Sequence, residues 1–267
     1  MIALKSPREI ELMRRSGAVT ARVLSELMKT ARAGMTTQEL DRLAERGIRA
    51  GGGIPTFKGY NGFPGSICSS INDQVVHGIP DPRVLRDGDL LSIDIGTTLE
   101  GYVSDSAVTI AIGDVSPQAR RLLEVTRECL TAGIEQMQVG KHLGDIGAAV
   151  QAHAERNGFG VVRDLVGHGV GREMHEEPQV PNYGDPQTGM ELRAGLVLAI
   201  EPMITQGSPK VRVLSDGWTV VTLDGKLAAH FEHTIAVTDD GAKVLTMREY
   251  AEDPALERFR PQREALA

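Results

Sequence analysis

The sequence predicts an α+β fold made of two similar halves, each running helix, helix, strands, with the helices packed on one side of a curved, largely antiparallel sheet. Two observations carry this expectation. The segments TIAIGD (109–114) and TIAVTD (234–239) are near copies, and each follows a pair of helix-like stretches. The segment DGDLLSIDIGTTLEGYVSDSAVTIAIGD (87–114) alternates apolar and polar residues on both sides of a central turn, as a buried β-hairpin does. At 267 residues the chain is long enough to bury a substantial core. Residues 1–247 are expected to form one domain with halves at about 5–114 and 115–245.

The first helix begins at Ser6-Pro7-Arg8-Glu9, a capping box with proline at the first helical position. Ile10, Met13, Leu24, Leu27 and Met28 continue its apolar stripe toward Ala31. A second box, Thr36-Thr37-Gln38-Glu39, opens the next helix, whose stripe of Leu40, Leu43, Ala44 and Ile48 ends at Gly51, Gly52 and Gly53. Residues 54–88 hold turns and short apolar runs that lead into the hairpin, whose second arm is expected from Val103 to Ile112.

In the second half Ser116-Pro117 again reads as a cap followed by a first helical residue, with Leu122, Leu123, Leu130, Ile134 and Met137 behind it. Asp145 is expected to cap a further helix that stops at Asn157-Gly158. Strands follow, and Glu201 ends one apolar run while Glu232 opens another. The tail from 248 to 267 is highly charged and is expected to be a solvated extension.

Composition narrows the function. A net charge of -7 carries no basic stripe, so nucleic-acid binding is not suggested. Cys68 and Cys129 are the only cysteines, with no Cys-x-x-Cys, which argues against a disulfide framework or a zinc finger and fits a reducing cytoplasm. The start, MIALKSPREIELMRRSG, has no apolar run long enough for a signal peptide or a membrane span. There is no His-Glu-x-x-His helix, no Gly-x-Ser-x-Gly elbow and no phosphate loop. Nothing in the spacing of Cys68 and His77 pairs them as a thiol dyad.

Asp94 and Asp105 stand out because aspartate is depleted in strands and an unpaired buried carboxylate is costly. Three further stretches supply similar residues. His168 lies between glycines in GHGVGREMHEEP, Glu201 closes LVLAIE, and Glu232 falls in AAHFEHTIAVTDDG. Four carboxylates match two divalent cations, whereas one ion would leave net negative charge buried. His230 shares the expected face of Glu232, and His233 the opposite one.

In this order, with INDQVVHGIP (71–80) ahead of them, these residues resemble the type I methionine aminopeptidases, in their bacterial-like form, of the M24 peptidase family. The resemblance covers residues 5–245. It implies the pseudo-twofold "pita-bread" fold and removal of the N-terminal methionine from nascent polypeptides when the second residue is small. It implies two divalent ions (Co, Mn, Fe or Zn), bridged by Asp105 and Glu232, with Asp94 completing one and His168 with Glu201 the other. Glu201 would also move the proton, His175 would stabilise the tetrahedral intermediate and His77 would stand near the leaving group. Tyr60, Phe63, Cys68, His77 and Trp218 would form the methionine pocket. Asn61 and Met174 depart from the family pattern, the first where histidine is common and the second where an aromatic residue usually precedes His175. Spacings of 33 and 31 residues between His168, Glu201 and Glu232 leave no room for the helical insertion of type II enzymes.

The implied partners are nascent chain N-termini, with the ribosome surface as a candidate, no DNA and no membrane, and the protein is expected to be a cytoplasmic monomer. Proline-specific peptidases of the same fold carry an additional N-terminal domain, for which the chain is expected to be too short. A binding module that had lost catalysis would lack some ligands. The methionine-pocket residues argue against a hydrolase of small amidines.

Overall fold

The computed structural model describes residues 2–248 and 254–261. Helix α1 (Pro7–Thr30) starts where its capping box predicts. The Ser6 N–H donates to Glu9 Oε2 at 2.9 Å, and the Glu9 N–H donates to Ser6 Oγ at 3.4 Å. Helix α2 (Thr37–Ala50) repeats the arrangement with Thr36 and Glu39. Each such cap satisfies otherwise orphaned N–H groups and contributes about 1 kcal/mol.

Helix α3 (Pro117–Ile134) is capped by the Ser116 hydroxyl, which accepts the Ala119 N–H at 3.1 Å. Met137, expected on this helix, lies in the turn beyond it and is fully buried there. Helix α4 (Leu143–Arg156) begins three residues earlier than expected. Asp145 is not its N-cap; its side chain reaches back from the first turn to accept the His142 N–H at 2.8 Å.

The hairpin pairs Leu90–Leu99 with Tyr102–Ala111 in continuous antiparallel register. Cys68–Ile71 and Ile54–Pro55 add to the far side of its first arm. In the second half five strands lie in the order Gly241–Val244, His233–Thr238, Val197–Ile200, Gly167–Gly169, Glu176–Val180, again antiparallel throughout. Two smaller three-stranded sheets complete the strand set among the described residues. Helix α1 packs on the hairpin, and α3 packs on α4 and on strands of both halves.

The two halves pair where Val220–Thr222 meets Gln74–Val76, and also along a seam beside the carboxylates. The Glu232 N–H donates to Ala107 O at 2.9 Å, and the Ala107 N–H donates to Glu232 O at 3.3 Å. Glu232 does not open a strand, as expected from sequence. It falls in a break between Ala228–His230 and His233–Thr238, and this break pairs with the hairpin. The seam is what brings Glu232 to the hairpin.

The core runs through both halves. Leu24, Leu27, Leu40, Ile93 and Ile95 from the first join Leu198, Ile200, Ile235 and Val237 from the second in one buried cluster. The tail expectation needs correction where the tail is described: Arg248 is buried, and Leu256 on the 3₁₀ turn Pro254–Phe259 packs into this same core. The remainder of the tail lies outside the described residues. Among the described residues no helix is long and apolar enough to cross a membrane.

Candidate metal centre

Antiparallel register explains how the acidic residues meet. Asp94 stands opposite Ala107 and Gly96 opposite Asp105, so both aspartates project from one face of the hairpin. Cys68, opposite Asp94 on the next strand, shares that face. His168 sits on Gly167–Gly169 beside Ala199. Its flanking glycines are required by close approach: a Cβ on Gly167 would overlap Ala199 O, and one on Gly169 would overlap Glu177 O. Glu201 directly follows the strand Val197–Ile200, and the Asn182 amide donates to its carbonyl at 3.0 Å.

Donor atoms of Asp105, His168 and Glu232 all lie within 4.8 Å of one another, and all three residues are buried. His168 Nε2 is 3.5 Å from Glu201 Oε1 and 3.9 Å from Asp105 Oδ2. Its Nδ1–H donates to Gly169 O at 2.8 Å, which leaves the Nε2 lone pair directed at the carboxylates, the tautomer a metal ligand needs. On the far side of Glu201, Oε2 is 3.6 Å from His230 Nε2.

This donor set fits divalent cations. Among the described residues, Asp94 Oδ1, Asp105 Oδ1 and Glu232 Oε1 are buried without a hydrogen-bond partner, and those lining the cavity above them include no lysine or arginine. Buried carboxylate oxygens without donors are strongly disfavoured unless a cation faces them. Without one, burial pushes Asp94 up to about 6 and Glu201 up to about 7. Asp105 and Glu232 are driven well above the carboxylate range by burial and then by neighbouring carboxylates. Burial lowers His168, against the pull of Glu201, and lowers His175 and His230 as well. His77 is lowered to about 4, by burial and then by His230. Neutral imidazoles and oxygen-rich surroundings suit manganese, iron, cobalt or zinc.

The carboxylates floor a cavity of about 230 Å³. Every residue anticipated for the site lines it: Asp94, Asp105, His168, Glu201 and Glu232 below, with Tyr60, Phe63, Cys68, His77, Met174, His175 and Trp218 around them. Trp218 meets Phe63 edge-on at 5.1 Å and stands 6.5 Å from the His77 ring. The Tyr60 hydroxyl is 2.7 Å from His175 Nδ1, and the His175 ring lies 4.3 Å from that of His168. Cys68 is no nucleophile here, because burial and then the nearby carboxylates push its thiol well up. Asn61, at the rim, holds a left-handed backbone with φ 49°. Phe57, Val76, Leu165, Val166 and Met203 also line the cavity; Val76 falls within INDQVVHGIP (71–80), but none of the five was singled out from sequence.

The profile of metallopeptidase family M24 matches residues 11–239. The chain is 53% identical over 246 residues to methionine aminopeptidase 1 of Bacillus subtilis, covering 92% of this chain and 99% of that one. The crystal structure of methionine aminopeptidase from Thermotoga maritima superposes with a TM-score of 0.91 at 44% identity, over 93% of this chain and 100% of that one. Prolidase from Pyrococcus furiosus shares the fold at a TM-score of 0.74 and 22% identity, and the match spans 92% of this chain but 66% of the prolidase.

Proposed function

The chain belongs to metallopeptidase family M24, and from that membership we propose that it removes N-terminal methionine from polypeptides whose second residue is small. The observation that supports this most is the donor set at the floor of a cavity walled by Phe63, Cys68, Met174 and Trp218, a lining suited to an unbranched thioether. Nascent chains are the substrates in this reading, the ribosome surface is a candidate partner, and the protein works as a cytoplasmic monomer. Residues 1–247 form the catalytic unit.

Asp94, Asp105, His168, Glu201 and Glu232 would hold two divalent ions. When bound, such ions supply a water made nucleophilic at neutral pH and polarisation of the scissile carbonyl. Glu201, set between two imidazoles, takes the proton from the attacking water and returns it to the leaving amine. The Tyr60 hydroxyl is bonded to His175 Nδ1; with Tyr60 as the donor, His175 would carry its proton on Nε2 and offer it to the developing oxyanion. His77, held neutral beside Trp218, lies toward the leaving-group side.

Asp94→Asn and His168→Ala test the ligand assignment. Each should fold, bind less metal and release little methionine. Full activity in a metal-quantified Asp94→Asn sample would overturn it.

A further inference from the structure

The loop at residues 171–175 carries Met174 and His175 and belongs to the second half, yet three groups of the first half hold it. The Lys5 ammonium, buried in the N-terminal arm, donates to Glu176 Oε2 at 2.5 Å. The other oxygen of Glu176 accepts the backbone N–H groups of Arg172 at 2.8 Å and Glu173 at 3.2 Å, so a single carboxylate gathers the loop and the arm together. The Val103 N–H donates to Gly171 O at 2.8 Å, and Arg172 donates to the Tyr102 hydroxyl, which in turn donates to Glu9. Gly171 leaves room for this pair: a Cβ there would meet Glu176 Oε1 and the Lys5 Cε and Nζ atoms and push the two side chains apart.

We propose that Lys5 is a positioning residue for the methionine-releasing reaction: through Glu176 it fixes the loop that aims His175 into the cavity. Lys5 itself lines no part of that cavity. The arrangement places a partly buried ion pair, with both oxygens of Glu176 in use, one residue from His175, so removing the ammonium leaves Glu176 facing the arm with no partner for Oε2. The arm is otherwise tied down by the Lys5 N–H, which donates to Gly195 O at 2.6 Å, so a change at the Lys5 side chain leaves the backbone tether intact.

The inference rests on the role proposed for His175, and the test separates the two. Methionine release from Met-Ala-Ser is measured for the metal-loaded wild type, Lys5→Met, His175→Ala and the double variant, with metal content and hydrogen exchange over residues 171–176 followed in each. Lys5→Met should lower kcat about tenfold, with KM within about twofold, bound metal unchanged and exchange in the loop faster. In the His175→Ala background it should cost almost nothing further, because its effect passes through His175. Equal losses in both backgrounds, or loss of metal, would overturn the proposal. Unchanged exchange would refute the pinning itself, whereas an unchanged kcat in His175→Ala would refute the role of His175 and the proposal with it. Should Lys5→Met not fold, Glu176→Gln, which keeps an acceptor for the two loop N–H groups, is expected to behave the same way.

Discussion

Thr234 and Asp105 are joined by a reciprocal pair of hydrogen bonds: the Thr234 hydroxyl accepts the Asp105 N–H at 2.9 Å and donates to the Asp105 carbonyl at 2.8 Å. Thr109 treats His230 identically from the opposite half, accepting its N–H and donating to its carbonyl, each at 2.8 Å. Both threonines come from the near-copied segments, so the duplication visible in sequence is what closes the seam around the carboxylates. Thr234→Val keeps the shape and removes both bonds, leaving a buried N–H and C=O unpaired. It should cost about 2–4 kcal/mol in urea unfolding and weaken metal binding in parallel, since Asp105 loses its backbone anchor. Normal stability and normal metal affinity would show that the seam does not hold the site.

Burial raises Asp94 to about 6 and Glu201 to about 7, above their unfolded values of about 3.9 and 4.3. The metal-free folded state therefore binds more protons than the unfolded chain between about pH 4 and 7, and its stability falls as pH rises through that window. Metal competes with those protons. Thermal unfolding should show metal-stripped protein losing stability from pH 5.5 to 8, and a larger gain on adding manganese at pH 8 than at pH 5.5. An equal gain at both pH values would contradict the buried-carboxylate account.

Asp145 titrates in the opposite sense. The Gln187 and His142 N–H groups, bound at 2.9 and 2.8 Å, hold it below the usual carboxylate range. Its contribution is complete above the unfolded value and is lost as pH falls through the lower folded one. Asp145→Ala should lower stability by about 1 kcal/mol at pH 7, with the difference from wild type shrinking below about pH 4. A difference that persists undiminished in acid would mean the charge is not what matters.

Trp218 is the sole tryptophan and lines the cavity, so it reports on occupancy without a label. A non-hydrolysable methionine analogue should change its fluorescence saturably, and norleucine, of similar shape, should do the same more weakly. Trp218→Ala should raise KM for methionyl peptides more than it lowers kcat. The reverse split would place Trp218 nearer the chemistry than the pocket wall.

Much of this architecture is legible in sequence because local chemistry writes it there. Ser6 with Glu9 and Thr36 with Glu39 fix two helix starts within a few residues, and alternation fixes the hairpin. The site residues stand out because carboxylates inside apolar strands need a reason. Other features leave no local trace. Asp145 looks like an N-cap, and only the backbone shows that it caps from inside the helix. Glu232 sits in a strand break that exists because Ala107 pairs with it across the seam. Phe57, Val76, Leu165, Val166 and Met203 reach the cavity by tertiary packing, and apolar residues carry no signature of the surface they line. Lys5 and Glu176 meet across 171 residues of chain, and Leu256 is buried within a segment whose composition reads as solvated.

The most direct measurement is release of free methionine from Met-Ala-Ser and Met-Leu-Ser by metal-stripped protein titrated with manganese, iron, cobalt and zinc. Metal-dependent cleavage of Met-Ala-Ser, with Met-Leu-Ser left intact, is the predicted result. No cleavage with any metal, in protein shown to bind it, would contradict the account.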